Sequence, residues 1–133
     1  MLKHIRYRIG FISWMVLITI LSLVSFEDDT SLEINIPYFD KLVHFTFYFV
    51  ASMLGGLFGR EISKGGISKV KVLGISFVGL IFYGIIIEVI QGSLTTYRSG
   101  ELMDVIANSA GTLLGTLLIW GVFSKGSGLK WEN

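Results

Sequence analysis

A handful of polar residues in an otherwise apolar chain have the types and spacings that chemistry needs. Asp40, Lys41 and His44 form a D-K-x-x-H segment, Glu88 and Gln91 an E-x-x-Q, and Asp104 and Asn108 a D-x-x-x-N, with Arg98 between the last two. Separations of three or four residues put each pair on one face of a helix. His44 with Glu88 or Asp104 would make an acid–base pair. Lys41 and Arg98 would hold an anionic group, Arg98 through its planar fork. Asp40, Gln91 and Asn108 would add further polar contacts to a ligand. The competing chemistry is a metal centre, for which His44, Asp40, Glu88 and Asp104 offer one nitrogen and three carboxylates. Transition-metal sites usually offer more histidine, and His4 falls on the opposite face, so no metal or other cofactor is expected. The chain has no cysteine, which removes thiolate chemistry and disulfides. No G-x-S-x-G, H-E-x-x-H or Gly-rich phosphate loop is present.

The elements that must position these residues follow from composition. Of 133 residues, 52% are hydrophobic and only 16% charged, against about 25% charged in a soluble domain. That deficit argues against a soluble globular protein, a disordered chain or a nucleic-acid binder with a basic face. Four apolar stretches, at about 9–26, 42–59, 72–90 and 102–123, have the roughly 17–25 residues needed to cross a hydrocarbon core. Backbone polar groups find no partner in lipid, so each stretch must be helical. The apolar runs do not alternate as barrel strands would. Pro37 is the single proline, so nothing breaks these helices. The expected architecture is all-α: a four-helix transmembrane bundle over 1–123 with a polar tail, 124–133, that frays around Gly126 and Gly128. An uncleaved first span is the better reading of the N-terminus than a signal peptide, because its apolar run exceeds the roughly 7–15 residues of a signal core and no small-x-small site follows.

Nine of the eleven Lys and Arg residues (Lys3, Arg6, Arg8, Arg60, Lys64, Lys69, Lys71, Lys125 and Lys130) lie on one side of this arrangement, and only Lys41 and Arg98 on the other. The positive-inside rule then gives N-in/C-in topology. Span two begins outside, span three ends outside and span four begins outside. Asp40, Lys41, His44, Glu88, Gln91, Arg98, Asp104 and Asn108 therefore gather at the outer face or just below it. Asn108 lies about 9 Å into its span at about 1.5 Å per residue. Burying several such groups at one depth is costly unless they share a polar pocket between helices. Gly55 and Gly59, and Gly111 and Gly115, form two G-x-x-x-G pairs that let helices approach closely, within one chain or in a helix–helix oligomer. The second pair places its contact directly beneath Asn108.

Each residue also has a plainer reading. Asp40 and Asp104 sit where a carboxylate favours a helix N-terminus. Lys41 and Arg98 would serve as interfacial anchors, and the Trp and Tyr residues as packing or belt residues. His44 would sit at the interface, and Asn108 would bond a neighbouring helix. Glu88 resists such a reading. It is flanked by Ile85, Ile86, Ile87, Val89 and Ile90 and lies toward a helix C-terminus, so it needs a partner or a proton.

The segments D-K-L-V-H-F-T-F-Y-F at 40–49, E-V-I-Q at 88–91, the arginine at 98 and D-V-I-A-N-S-A-G-T-L-L-G at 104–115 resemble the VanZ-like family. The resemblance covers about residues 40–120 and includes Asp40, Lys41, His44, Glu88, Gln91, Arg98, Asp104, Asn108 and Gly111. The segment Ser93 to Tyr97 lacks the proline expected before the arginine. The resemblance implies a multi-pass protein of the bacterial cytoplasmic (inner) membrane, in a family named for an accessory determinant of resistance to the glycopeptide teicoplanin. Two functions suit such a pocket. One is an outer-leaflet site, with His44, Glu88 and Asp104 catalytic, that acts on or binds a membrane lipid or lipid-linked cell-wall precursor. The other is a non-catalytic membrane factor that binds an envelope component or partner protein and alters antibiotic access. A proton or ion pathway fits less well, because the polar residues do not continue to the inner face.

Overall fold

The computed structural model describes residues 5–23, 38–94 and 102–132. Four helices follow one another: α1 (Arg6–Leu23), α2 (Phe39–Ser63), α3 (Lys69–Leu94) and α4 (Leu102–Val122). All four are long and apolar enough to cross a membrane by length and composition. They run alternately up and down, and no strand occurs among the described residues.

Burial is inverted relative to a soluble bundle. Ile9, Ile12, Val16 and Ile20 form an exposed stripe on α1, and Ile75, Val78, Phe82, Ile86 and Val89 form another on α3. Helical spacing places each set on one face, where lipid is the solvent that suits it. The interior instead encloses Ser22, His44, Ser52, Glu88, Gln91, Asp104, Asn108 and Thr112. Apolar packing is confined to two patches. Ile18, Tyr48, Ala51 and Leu80 make one, and Val72, Leu73, Ile119 and Trp131 the other.

Helix α2 is central and touches the other three; its closest neighbour is α4. Glycine permits that approach. A Cβ on Gly111 would collide with the backbone carbonyl of Phe45, and one on Gly115 with Ser52 Oγ and the carbonyl of Phe49. Gly55 and Gly56 of α2 instead face Ser76 and Phe11, and Leu73 and Ile119. Gly59 faces Val72. Both G-x-x-x-G pairs are thus used between helices of the same chain.

The end of the bundle that carries most of the lysines and arginines uses its polar groups to satisfy helix termini. Glu61 accepts from the backbone N–H groups of Tyr7 (3.4 Å) and Arg8 (2.8 Å) at the start of α1. Lys69 Nζ donates to the carbonyls of Trp120 (3.3 Å) and Phe123 (3.0 Å) at the end of α4. These are the orphan groups any helix leaves at its ends, and the charges have the sign the helix dipole favours. Helix α2 closes at Lys64 and Gly65, both with positive φ, and Gly65 N–H returns to the carbonyl of Arg60. The described part of the tail, 124–132, makes contacts that its glycine-rich, polar composition does not suggest. Trp131 is buried against Phe123, its Nε1–H donates to the Ile67 carbonyl (2.7 Å), and Arg60 holds the carbonyls of Lys130 and Trp131 at 2.9 and 2.8 Å. One aromatic anchor and one guanidinium outweigh the chain entropy that two glycines add.

The α2–α4 contact makes a direct prediction. Gly111→Ala must displace backbone rather than a flexible side chain, so it should lower stability by about 1–3 kcal/mol. Gly121→Ala, whose Cβ would meet nothing within 4 Å, should leave it unchanged or slightly raised. Thermal unfolding of both variants in the same detergent checks this; equal melting temperatures would contradict the packing described.

Candidate functional site

At the other end, polar side chains face each other instead of helix termini. His44 lies one turn into α2, Glu88 in the last two turns of α3, and Asp104 and Asn108 in the first two turns of α4. The Gly111 contact below them brings α2 and α4 together at this depth. His44 Nδ1 is hydrogen-bonded to Asn108 Oδ1 at 3.0 Å. Glu88 Oε1 stands 3.7 Å from the same nitrogen. Nε2 faces Asp104 Oδ2 at 3.6 Å. One donor atom each from His44, Glu88 and Asp104 fall within 4.8 Å of one another, and all three residues are buried.

Lys41 completes the cluster. Its Nζ is 2.7 Å from Asp104 Oδ1 and 2.5 Å from Asp40 Oδ2. The Lys41 side chain is 18% exposed, Asp104 10% and Asp40 60%. The ammonium thus bridges a buried carboxylate and one at the rim. Asp40 shares a face with His44 by spacing, yet it sits in the first turn of α2 with its side chain exposed. Gln91 is fully enclosed at this end, and its Nε2 donates to the Ser22 carbonyl of α1 at 2.6 Å. That bond ties α3 to α1. Arg98, expected to hold an anionic group, lies outside the described residues, as does the acidic stretch of Glu27, Asp28 and Asp29.

Two residues that the sequence did not single out belong to the site's floor. Tyr48 is buried one turn below His44 on the same face of α2. Gly84 lies one turn below Glu88, and a Cβ there would press on the Tyr48 ring at 3.2 Å and on Asn108 Nδ2 at 3.3 Å. Both follow from the i, i+4 rule once His44 and Glu88 are taken as inward. Asn108 Nδ2 is enclosed and has no hydrogen-bond partner among the described residues. Thr112 closes the α4 side by donating to the Asn108 carbonyl at 2.8 Å.

Chemically, the arrangement offers a histidine between two carboxylates and an ammonium shared by two carboxylates, all from three helices and at one depth. A multi-pass membrane bundle with an enclosed ionisable cluster at one end is the class of protein these features define. The family model described as VanZ/LLP1 matches residues 4–124, and the chain belongs to that family. Comparison with curated proteins and with solved structures gave no match.

The Lys41–Asp104 pair can be measured. Lys41→Met leaves a buried carboxylate without this ammonium, which should cost about 3–5 kcal/mol if Asp104 stays ionised. Adding Asp104→Asn should recover much of that loss. A double-mutant cycle by thermal or denaturant unfolding in detergent should give a coupling of about 0.5–3 kcal/mol. Strict additivity would mean that the two charges do not sense each other.

Proposed function

We propose that this protein lies in a bacterial cytoplasmic membrane with both termini inside, and that the cluster acts at the outer leaflet on a lipid-linked cell-envelope component. The observation that carries the reading is His44 held between Glu88 and Asp104, with Lys41 on the second of these carboxylates. Such a site suits hydrolysis or transfer at a phosphate. Lys41 holds the anionic group at the rim, where its side chain still reaches water. The histidine–carboxylate set takes the proton of the attacking water or acceptor hydroxyl. The new oxygen–phosphorus bond forms, the bond to the leaving oxygen breaks, and the proton passes to that oxygen. An acid–base group of this kind contributes about 10²–10⁴-fold. A lipid-linked substrate suits the location, since its chain would remain in lipid beside the exposed stripes while its head group met the polar end. The family supports an envelope role, and with it an effect on glycopeptide susceptibility.

The second reading is a non-catalytic envelope factor whose polar residues bind a component or partner and organise the helices. Gln91 favours it locally, since its amide is engaged by Ser22 of α1.

His44→Ala, Glu88→Gln and Asp104→Asn separate the two. Each variant should still insert and fold, with reduced stability where a charge loses its partner, while losing about 10²–10⁴-fold in phosphate release from a lipid-linked cell-wall precursor in vesicles. Teicoplanin susceptibility should change in parallel. Loss of folding in each variant would support the organising network instead, and retained turnover and phenotype in all three would remove the pocket from the function.

Orientation has its own test, simplified by the absence of cysteine. With a membrane-impermeant maleimide on intact cells, Tyr38→Cys, at the exposed start of α2, should label. Ser127→Cys, in the tail, should label only after permeabilisation. The reverse pattern would place the cluster at the cytoplasmic face.

A further inference from the structure

We propose that His44, Glu88 and Asp104 bind one divalent cation of the Mn²⁺ kind. The inference deepens the reading of this pocket and rests on it for the role the ion would play, although the binding itself can be tested without any substrate.

Geometry is the first argument. His44 Nε2 faces Asp104 Oδ2 across 3.6 Å, while Nδ1 is engaged by Asn108 Oδ1 at 3.0 Å. Two donors each about 2.1 Å from a metal ion lie about 3.0 Å apart at a right angle and about 3.4 Å apart at the tetrahedral angle. Opposite donors are about 4.2 Å apart on the same basis. One donor atom each from His44, Glu88 and Asp104 lie within 4.8 Å of one another, so the set would have to draw in to close on an ion.

Second, the ring is supported as a ligand should be. Metal-binding histidines almost always donate their other N–H to a carbonyl, carboxylate or water, which fixes tautomer and orientation. Asn108 Oδ1 fills that role, and the Asn108 amide packs over Gly84, where a Cβ would lie 3.3 Å from its Nδ2.

Third, charge favours a cation. Two buried carboxylates face one histidine, and Lys41 contacts both Asp104 and the rim carboxylate Asp40. A divalent ion here would make the site more receptive toward a phosphate. One imidazole with two carboxylates lies where the preferences of carboxylate for Mg²⁺, Ca²⁺ and Mn²⁺ meet that of imidazole for later metals. The sequence pointed away from metal because only one histidine reaches this face, although it offered three carboxylates beside it. The structure brings His44, Glu88 and Asp104 together and leaves Asp40 at the rim. His44 is then a ligand, and the ion activates the water by lowering the energy of its hydroxide form.

The test uses the full-length protein in detergent, stripped with chelator and titrated with MnCl₂. Electron paramagnetic resonance should show one saturable Mn²⁺ per chain, and pulsed spectra should carry ¹⁴N modulation from an imidazole. His4→Gln, removing the other histidine of the chain, should keep that modulation, and His44→Gln should abolish it. Glu88→Gln and Asp104→Asn should each weaken binding at least tenfold, whereas Glu61→Gln at the opposite end should leave it within twofold. The ¹⁴N signal of the unaltered protein decides even if a variant fails to fold. Absence of saturable Mn²⁺ binding, or ¹⁴N modulation that survives His44→Gln in folded protein, would overturn the proposal. Metal binding without phosphate release would leave the site assigned and the enzymatic reading rejected, so the two fail separately.

Discussion

The structure depends on one constraint: ionisable groups enclosed in an apolar bundle must answer one another. Glu88 and Asp104 are almost fully buried, and His44 and Lys41 are the side chains set against them. Removing a carboxylate from water costs several kcal/mol even after relaxation. Helices α2, α3 and α4 therefore meet in the arrangement that returns most of that cost, which fixes their rotation about their own axes. Lipid-facing stripes then fall where they must, on the remaining faces. In a soluble bundle apolar burial would choose the interface; here lipid is as apolar as leucine, so close backbone packing and polar contacts choose it.

Two devices make the arrangement geometrically available. The glycines at 111 and 115 lower α4 onto the backbone of α2, so side chains just above them are brought within reach. Hydroxyls at Ser52, Ser109 and Thr112 bond back to carbonyls of their own helices at 2.8–2.9 Å and need no outside partner. Away from the helix termini, the polar contacts between described helices include the cluster, the Gln91–Ser22 tie, the Thr19–Tyr83 hydroxyl contact and the Trp14 Nε1–H bond to the Phe47 carbonyl. The two ends of the molecule divide the work. One satisfies helix termini with Glu61, Lys69 and Arg60, and the other gathers charge.

Much of this is legible in the sequence, for physical reasons. An apolar run of span length leaves the backbone no choice but helix, and short connections force neighbours to run antiparallel. The convergence of Asp104, His44, Glu88 and Asn108 follows, because alternate helices return to the same end. Direction within that end is harder to read. Asp40 is in register with His44, yet its side chain is exposed, while Lys41 beside it turns in to Asp104 of α4. Gln91 is in register with Glu88, yet α1 passes beside it and offers the Ser22 carbonyl. Gly55 and Gly59 have motif spacing, but which helix they meet depends on the tilt of α3, which spacing does not encode. The tail misleads through its composition: Gly126 and Gly128 suggest a loose end, whereas Trp131 and Arg60, seventy-one residues apart, hold it down.

The central claim is that His44 touches carboxylates from two other helices inside the membrane. Solid-state NMR can measure this directly in bilayers, with ¹⁵N on histidine and ¹³C on the side-chain carboxyls of Asp and Glu. The account predicts that the His44 ring nitrogens are dephased by two carboxyl carbons at contact range, as the 3.6 and 3.7 Å separations require. Replacing Asp104 with Asn, or Glu88 with Gln, should remove one of these couplings and leave the other. A His44 signal that shows no carboxyl dephasing in folded, bilayer-embedded protein would contradict it.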